Sequence, residues 1–153
     1  TTILFGSTDV YKYSERGPVI NWKIMQERKK ISGYNCQKAE TSYLGRKYTV
    51  WFTPEIPIQN GPWKLGGLPG LILYASDSCG HYIFECTGIQ KPSKKEPIVE
   101  YDINYKNITR GKLNLLINRM HINFDQYMTS QGKIMAEGSQ KNISFPYNPI
   151  ELE

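Results

Sequence analysis

Apolar and polar residues alternate along most of the first ninety positions, which is the pattern of β-strands with one packed face. Three stretches show it: residues 18–24, 46–52 and 81–89. In the second stretch, Tyr48, Val50 and Phe52 share one face. Turn residues separate the stretches at 32–33, 44–46 and 76–80. The short spacing between these turns predicts antiparallel neighbours in a meander.

A different period begins after Pro97. Starting from an N-cap at Thr109, apolar residues recur at steps of three and four: Leu113, Leu116, Ile117, Met120, Phe124 and Tyr127. The spacing predicts one amphipathic helix of roughly five turns, which we expect to lie across a sheet face because its apolar stripe needs cover. The predicted fold class is α+β: a curved antiparallel meander or half-barrel, with one long C-terminal helix packed on it.

Size and charge limit the possible classes of protein. The 153 residues suffice for one domain with its own core, so we predict a single domain over residues 1–153. The net charge is +5, but the positive residues stand in short groups at 27–30 and 91–96, typical of solvated loops. No apolar run approaches the roughly 18 residues that cross a bilayer. We therefore expect neither a nucleic-acid partner nor a membrane span.

The most distinctive segment is residues 54–70, which hold four prolines and four glycines. That composition excludes a regular helix or a central strand. A phosphate-binding loop is disfavoured because Lys64 precedes the glycines and a strand, not a helix, follows them. We expect a rigid loop, with Pro69 and Gly70 at the centre of a type II turn. Its geometry is predicted to depend on Pro62, Gly67, Pro69 and Gly70.

Large apolar side chains concentrate around this loop, and two interpretations are open. In the first, Trp63 and Leu68 close the end of the sheet core. In the second, the loop covers a concave apolar face that takes a lipid, an acyl chain or an extended peptide. The candidate ligand-binding residues are Trp51, Phe52, Ile56, Trp63 and Leu68.

Residues 51–73, WFTPEIPIQNGPWKLGGLPGLIL, resemble the signature of the GLPGLI family, whose hexapeptide stands at 67–72. Residues 31–52 are similar to the run that leads into that hexapeptide. The resemblance implies a Bacteroidota protein of unestablished function, made with a signal peptide and located in the periplasm, at the outer membrane or outside the cell. It also implies more sequence ahead of Thr1, so that N-terminal strands of the full-length protein can be missing from this chain.

A location outside the cytoplasm, as the resemblance implies, would allow the three cysteines to form disulfides. A bridge between Cys79 and Cys86 would close a short loop, while pairings with Cys36 stay open. No metal is predicted, because Cys79, His81 and Cys86 lack a fourth His or Cys and a CxxC pair. No cofactor is predicted either. Cys79 and His81 form a conceivable nucleophile and base.

These observations lead to three hypotheses. The favoured one is a non-catalytic envelope module that binds a lipid, a peptide or an envelope protein through its apolar, Trp-containing face. The first alternative is a thiol-dependent or other hydrolase that uses Cys79 and His81. The second alternative is a structural scaffold subunit of an envelope assembly.

Overall fold

The computed structural model describes residues 2–3, 10–90, 104–130, 132 and 147–152. These residues fall into two compact units, one of residues 1–15 with 97–148 and one of residues 16–96 with 149–153. The single domain expected over residues 1–153 stays a prediction, and the basic group at 91–96 lies outside the described residues. The elements are β1 (Thr2–Ile3), β2 (Val10–Lys12), β3 (Lys23–Ile31), β4 (Tyr34–Tyr43), β5 (Arg46–Thr53), β6 (Leu71–Asp77), β7 (Ile83–Glu85), β8 (Tyr105–Asn107), α1 (Arg110–Ile122) and α2 (Phe124–Ser130).

The larger unit contains a five-stranded sheet in which β3 to β7 lie in sequence order and every neighbouring pair is antiparallel. The meander predicted from the alternation is therefore confirmed. Two-residue turns connect the first three strands. Their central residues all have positive φ: 49° and 87° at Ser32 and Gly33, 47° and 75° at Leu44 and Gly45. This is the type I′ geometry that matches the twist of a hairpin.

The core of this unit lies on one face of the sheet. Tyr48, Val50 and Phe52 are each at most 1% exposed, so the face predicted for them is confirmed. Strands β4 and β6 and the loop between β5 and β6 complete the cluster with Ala39, Leu65, Leu68, Ile72 and Ala75. The start of the sheet is shifted from the prediction, since β3 begins at Lys23 and Val19 is 92% exposed.

Among its described residues, the smaller unit holds a three-stranded sheet and the two helices α1 and α2. Strands β1 and β2 are antiparallel, whereas β2 and β8 are parallel. Helix α1 begins at the predicted N-cap, because the Thr109 hydroxyl accepts from the Lys112 N–H at 3.4 Å. None of the described helices is long and apolar enough to cross a membrane.

The predicted α+β fold with one long C-terminal helix is wrong: the described part of the chain is mainly β, with two sheets and two short helices. The apolar period continues past residue 122, but the backbone leaves the helix at Asn123, with φ −146° and ψ 81°. The Asn123 N–H caps α1 on the Arg119 carbonyl, and its side-chain oxygen accepts from the Gln126 N–H at 3.0 Å. Asparagine competes for backbone hydrogen bonds in this way, which is why it ends one helix and starts another.

Candidate functional site

The loop between β5 and β6 packs as part of the core. Leu65 and Leu68 are each 1% exposed and belong to the core cluster. The Leu71 N–H donates to the Ile56 carbonyl at 3.0 Å, which ties the end of the loop to its beginning. The loop is therefore held by hydrogen bonds within itself and by burial of its leucines.

The type II turn expected at Pro69 and Gly70 is wrong. Gly70 has φ 156°, far from the roughly 80° of that turn, and its N–H donates to the Leu68 carbonyl. Glycine is required for a different reason, because a Cβ at this position would overlap the backbone carbonyl of Thr53. A close approach of two backbones thus fixes this residue.

The other predicted loop residues have distinct surroundings. The Pro62 carbonyl accepts from the Leu65 N–H at 3.0 Å and closes a tight turn. Gly67 has φ 84° in open space, so it supplies backbone freedom rather than a close contact. Trp63 has a positive φ of 52°, which is uncommon for a bulky residue.

The five predicted ligand-binding residues do not form one surface. Phe52 and Leu68 are 1% exposed in the core, and Ile56 is half-buried. Trp63 packs on the core cluster, with ring centroids 5.8 Å from Tyr43 and 6.2 Å from Tyr48. Trp51 alternates with the core residues of β5 and lies on the opposite side of the sheet.

The side of the sheet that carries Trp51 is a half-exposed aromatic and charged surface, which we call the open face. In the strand register Trp51 lies directly opposite Lys38 of β4 and Tyr74 of β6, so these three side chains share it. The Lys29 ammonium lies 4.4 Å from the Trp51 ring centroid and 4.9 Å from that of Tyr74. The open face therefore presents two neighbouring rings with a cation over them.

Lys38 connects the rings to a carboxylate pair. Its ammonium lies 2.8 Å from Glu27 and 2.9 Å from Glu40. Hydrogen bonds to Glu27 and then Glu40 raise the pKa of Lys38, so it stays charged at neutral pH. The Glu27 side chain is 55% exposed and that of Glu40 is 40% exposed, so both carboxylates are in contact with solvent.

A shallow polar groove of about 480 Å³ continues the open face beyond Glu40. Hydroxyl, ammonium and carboxylate groups line it, from Lys23, Glu40, Ser42, Lys47, Thr49 and Ser78. Thr49 lies two residues before Trp51 on the same strand, and Glu40 lies opposite Thr49 in the register. Rings and a hydroxyl-rich groove are thus adjacent parts of one surface.

A buried ion pair lies at the other side of the sheet. The Arg46 guanidinium donates to Asp77 at 2.9 Å, and the two side chains are only 5% and 1% exposed. Arg46 also donates to the carbonyls of Pro149 and Ile150. Burial alone would raise the pKa of Asp77, but the Tyr82 N–H and Arg46 together outweigh it and lower that pKa. Asp77 is therefore ionised and holds the turn after β6.

The three cysteines are free thiols in this structure. The Cys79–Cys86 bridge, one of the pairings that the sequence leaves open, stays a prediction. Cys36 is 1% exposed, and burial raises the pKa of its thiol. Cys79 is exposed, and its sulfur lies within 4.8 Å of donor atoms of His81 and Asp77. The nucleophile and base considered at Cys79 and His81 are therefore close neighbours.

The five-stranded sheet and its open face define a class of protein: a mainly-β unit that exposes aromatic and polar side chains on one side of the sheet. The family model described as "N-glycanase peptide, N-terminal domain" matches residues 19–124, more than two thirds of the chain. The chain belongs to this family. No curated protein matches it.

Two solved structures of PNGF-II are similar to the chain. The one in space group P21 is 27% identical, with a TM-score of 0.50, over 62% of this chain and 17% of its own. The one in C2 is 22% identical, with a TM-score of 0.52, over 83% of this chain and 22% of its own. The chain thus spans about a fifth of the length of these proteins.

The assignment to the GLPGLI family is wrong, since the matching family is that of N-glycanase N-terminal domains. The hexapeptide was weak support for kinship because local geometry explains much of it: Leu68 fills the core and Gly70 meets the Thr53 carbonyl. The interpretation as a non-catalytic module of unknown function falls with that assignment, and so does the Bacteroidota source. The hydrolase alternative fits the family better. The periplasmic, outer-membrane or secreted location stays a prediction.

Sequence reasoning missed most of the groups on the open face and in the buried pair. The alternation along β5 already separated Trp51 from Phe52, so grouping the two as one surface contradicted the strand pattern. Arg46 and Asp77 were interpreted only as turn residues. Their contact joins positions 31 apart, and nothing in the local pattern signals it.

Proposed function

We propose that this chain is the N-terminal part of an N-glycanase, a hydrolase that releases N-linked glycans from peptides. The observation that carries the proposal is the match of the N-glycanase N-terminal family model to residues 19–124. The 27% identity to a PNGF-II structure supports the same class. Because the chain spans about a fifth of the PNGF-II proteins, the activity is proposed for the whole polypeptide that contains it.

The open face is the part of this chain that we expect to contact the glycan. Sugar rings present apolar C–H faces and polar hydroxyls, which suit flat aromatic side chains flanked by fixed hydrogen-bonding groups. Trp51 and Tyr74 supply the neighbouring rings, and Lys29 lies above both. Glu40 and the adjoining groove supply carboxylate, ammonium and hydroxyl groups.

Among the partners expected from the sequence, a peptide agrees with this proposal, as the peptide that carries the glycan. A lipid fits the open face less well, because Lys29, Lys38, Glu27 and Glu40 leave few places where an acyl chain avoids a charge.

The test is glycan release from an N-glycosylated peptide, catalysed by the longest natural polypeptide that contains this chain. We expect release by the wild type. In Trp51→Ala we expect KM to rise about tenfold, equivalent to about 1.4 kcal/mol, with kcat little changed, because the ring contributes substrate binding rather than chemistry. Ile58→Ala is the control, since Ile58 is 55% exposed and lies in the loop, outside the open face. Absence of release would refute the enzyme class, whereas release with equal KM in both variants would refute the role of the open face.

A further inference from the structure

Asp77, Cys79 and His81 lie on one tight turn that joins β6 to β7. The donor atoms of the three side chains lie within 4.8 Å of one another. The turn is fixed at both ends, since the Gly80 N–H and the Asp77 N–H donate to the carbonyls of Asp77 and Tyr82, both at 3.1 Å. Gly80 takes the positive φ of 68° that lets the chain reverse.

We propose that Asp77, Cys79 and His81 bind a zinc ion, with the fourth coordination position open to solvent. A carboxylate oxygen, a thiolate and an imidazole nitrogen are the ligand types that zinc takes in proteins. Tetrahedral zinc at ordinary bond lengths places neighbouring donor atoms about 3.5 Å apart. His81 Nδ1 is already 3.9 Å from Asp77 Oδ2, so small side-chain rotations complete the arrangement.

The exposure of two of the ligands supports a site that an ion can reach. Cys79 is exposed and half of the His81 side chain is exposed, while Asp77 is 1% exposed beneath them. Asp77 is already held by the Tyr82 N–H at 2.9 Å and by Arg46. The backbone N–H of His81 also bonds to this carboxylate. The two oxygens together offer about four acceptor positions, so one remains for a metal. Cys79 and His81 are thus not needed to satisfy Asp77.

Arg46 orients the carboxylate and limits the affinity of the site. Its hydrogen bonds to Asp77 and to the 149 and 150 carbonyls fix the ligand from behind, as outer partners of metal ligands do. Its contact with His81 Nδ1, at 3.4 Å, is long and gives way to a metal on that nitrogen. The guanidinium charge opposes a second cation, whereas the carboxylate and the thiolate attract it. We therefore expect weaker binding than in a four-ligand Cys and His site.

Cobalt is the probe, because its bond to a thiolate absorbs in the near ultraviolet. We expect Co²⁺ titrated into the reduced chain to produce this absorption along a saturable curve that fits one site per chain, and Zn²⁺ to remove it by competition. Cys79→Ser is expected to abolish the absorption, and His81→Ala to weaken binding at least tenfold. Both side chains are exposed, so circular dichroism of the two variants should match the wild type.

Matched controls use the remaining cysteine outside the core and the second histidine. Cys86→Ser and His121→Ala should bind cobalt as the wild type does, since neither residue belongs to the cluster. Absence of the thiolate absorption in the wild type would overturn the proposal, as would its persistence in Cys79→Ser. The site is independent of the proposed N-glycanase activity, and this titration does not involve a glycan.

Discussion

At the scale of single residues, Arg46 is the group on which one end of the larger unit depends. Its side chain is 5% exposed and binds Asp77 together with two backbone carbonyls of the C-terminal segment. The Tyr48 hydroxyl donates to the same segment, at Ile150, and burial raises the pKa of that phenol. A buried ion pair is costly to alter, because removing one partner leaves the other charge buried and unpaired.

Arg46→Ala is expected to destabilise the protein by about 3–5 kcal/mol, since Asp77 would remain as a buried, uncompensated charge. Urea unfolding followed by tryptophan fluorescence measures the change. Glu27→Ala is the matched control, because it breaks an ion pair whose carboxylate is 55% exposed and should leave the midpoint nearly unchanged. Equal shifts of the urea midpoint in the two variants would show that the Arg46–Asp77 pair contributes no more than an exposed one.

Asp77 also predicts an acid limb of stability. Its pKa in the folded protein lies below the usual 3.8, so ionised Asp77 contributes stability above pH 3.8 that is lost as the pH falls through the lower folded value. We therefore measure urea midpoints from pH 6 downward. For the wild type, the contribution of Asp77 should be lost below pH 3.8 and the midpoint should fall there. Asp77→Asn should be less stable at neutral pH and lose this part of the dependence. An unchanged slope in the variant would count against the assignment.

The thiols should react in an order set by burial. A thiol reagent is expected to label Cys79 in the native protein and to leave Cys36 unlabelled until urea unfolds the chain, because Cys36 is 1% exposed with a raised pKa. Mass spectrometry of the labelled peptides distinguishes the sites. Labelling of Cys36 in the folded state would show that the described core is open.

At the scale of elements, the loop from β5 to β6 is a second layer of core rather than a lid. Leu65 and Leu68 are buried, and Trp22 donates from its indole to the Gly66 carbonyl at 2.8 Å. The conformation of the loop is therefore fixed by its packing against the sheet and by this hydrogen bond. Substitutions at the close backbone contacts of this loop should therefore lower the free energy of unfolding rather than weaken ligand binding.

Gly70→Ala should cost about 3 kcal/mol or more, since the added methyl group meets the backbone of Thr53, which cannot rotate away. Gly33→Ala is the control for backbone conformation alone. Gly33 has φ 87° and nothing within 4 Å of an added Cβ, so only about 1–2 kcal/mol is expected. Urea unfolding of both variants gives the comparison, and a smaller loss in Gly70→Ala would refute the close approach.

The elements also show how far sequence patterns reach. Period-two alternation and Gly-containing turns were enough to predict the meander and the face of Tyr48, Val50 and Phe52. When one face of a strand is buried, its apolar residues must fall at every second position, and this pattern is visible in the sequence. The prediction of a single long helix was wrong because Asn123 ends α1 and caps the start of α2, although the apolar period continues beyond it. The open face required the pairing of Trp51 with Tyr74, which only the register provides.

At the scale of the whole molecule, we propose first that the chain is part of an N-glycanase and second that its open face contacts the glycan. Family membership over residues 19–124 supports the first part, and the rings of Trp51 and Tyr74 beside the polar groove support the second. The buried pair of Arg46 and Asp77 and the loop of residues 54–70 then serve to hold the sheet that carries this surface.

The most direct measurement is nuclear magnetic resonance of the isotope-labelled chain during titration with an N-glycosylated peptide, using the same peptide without glycan as the control. We expect shift changes at Lys29, Trp51 and Tyr74 and in the adjoining groove with the glycosylated peptide alone, and we expect them to disappear in Trp51→Ala. Shift changes confined to other surfaces, or equal changes with the bare peptide, would contradict it.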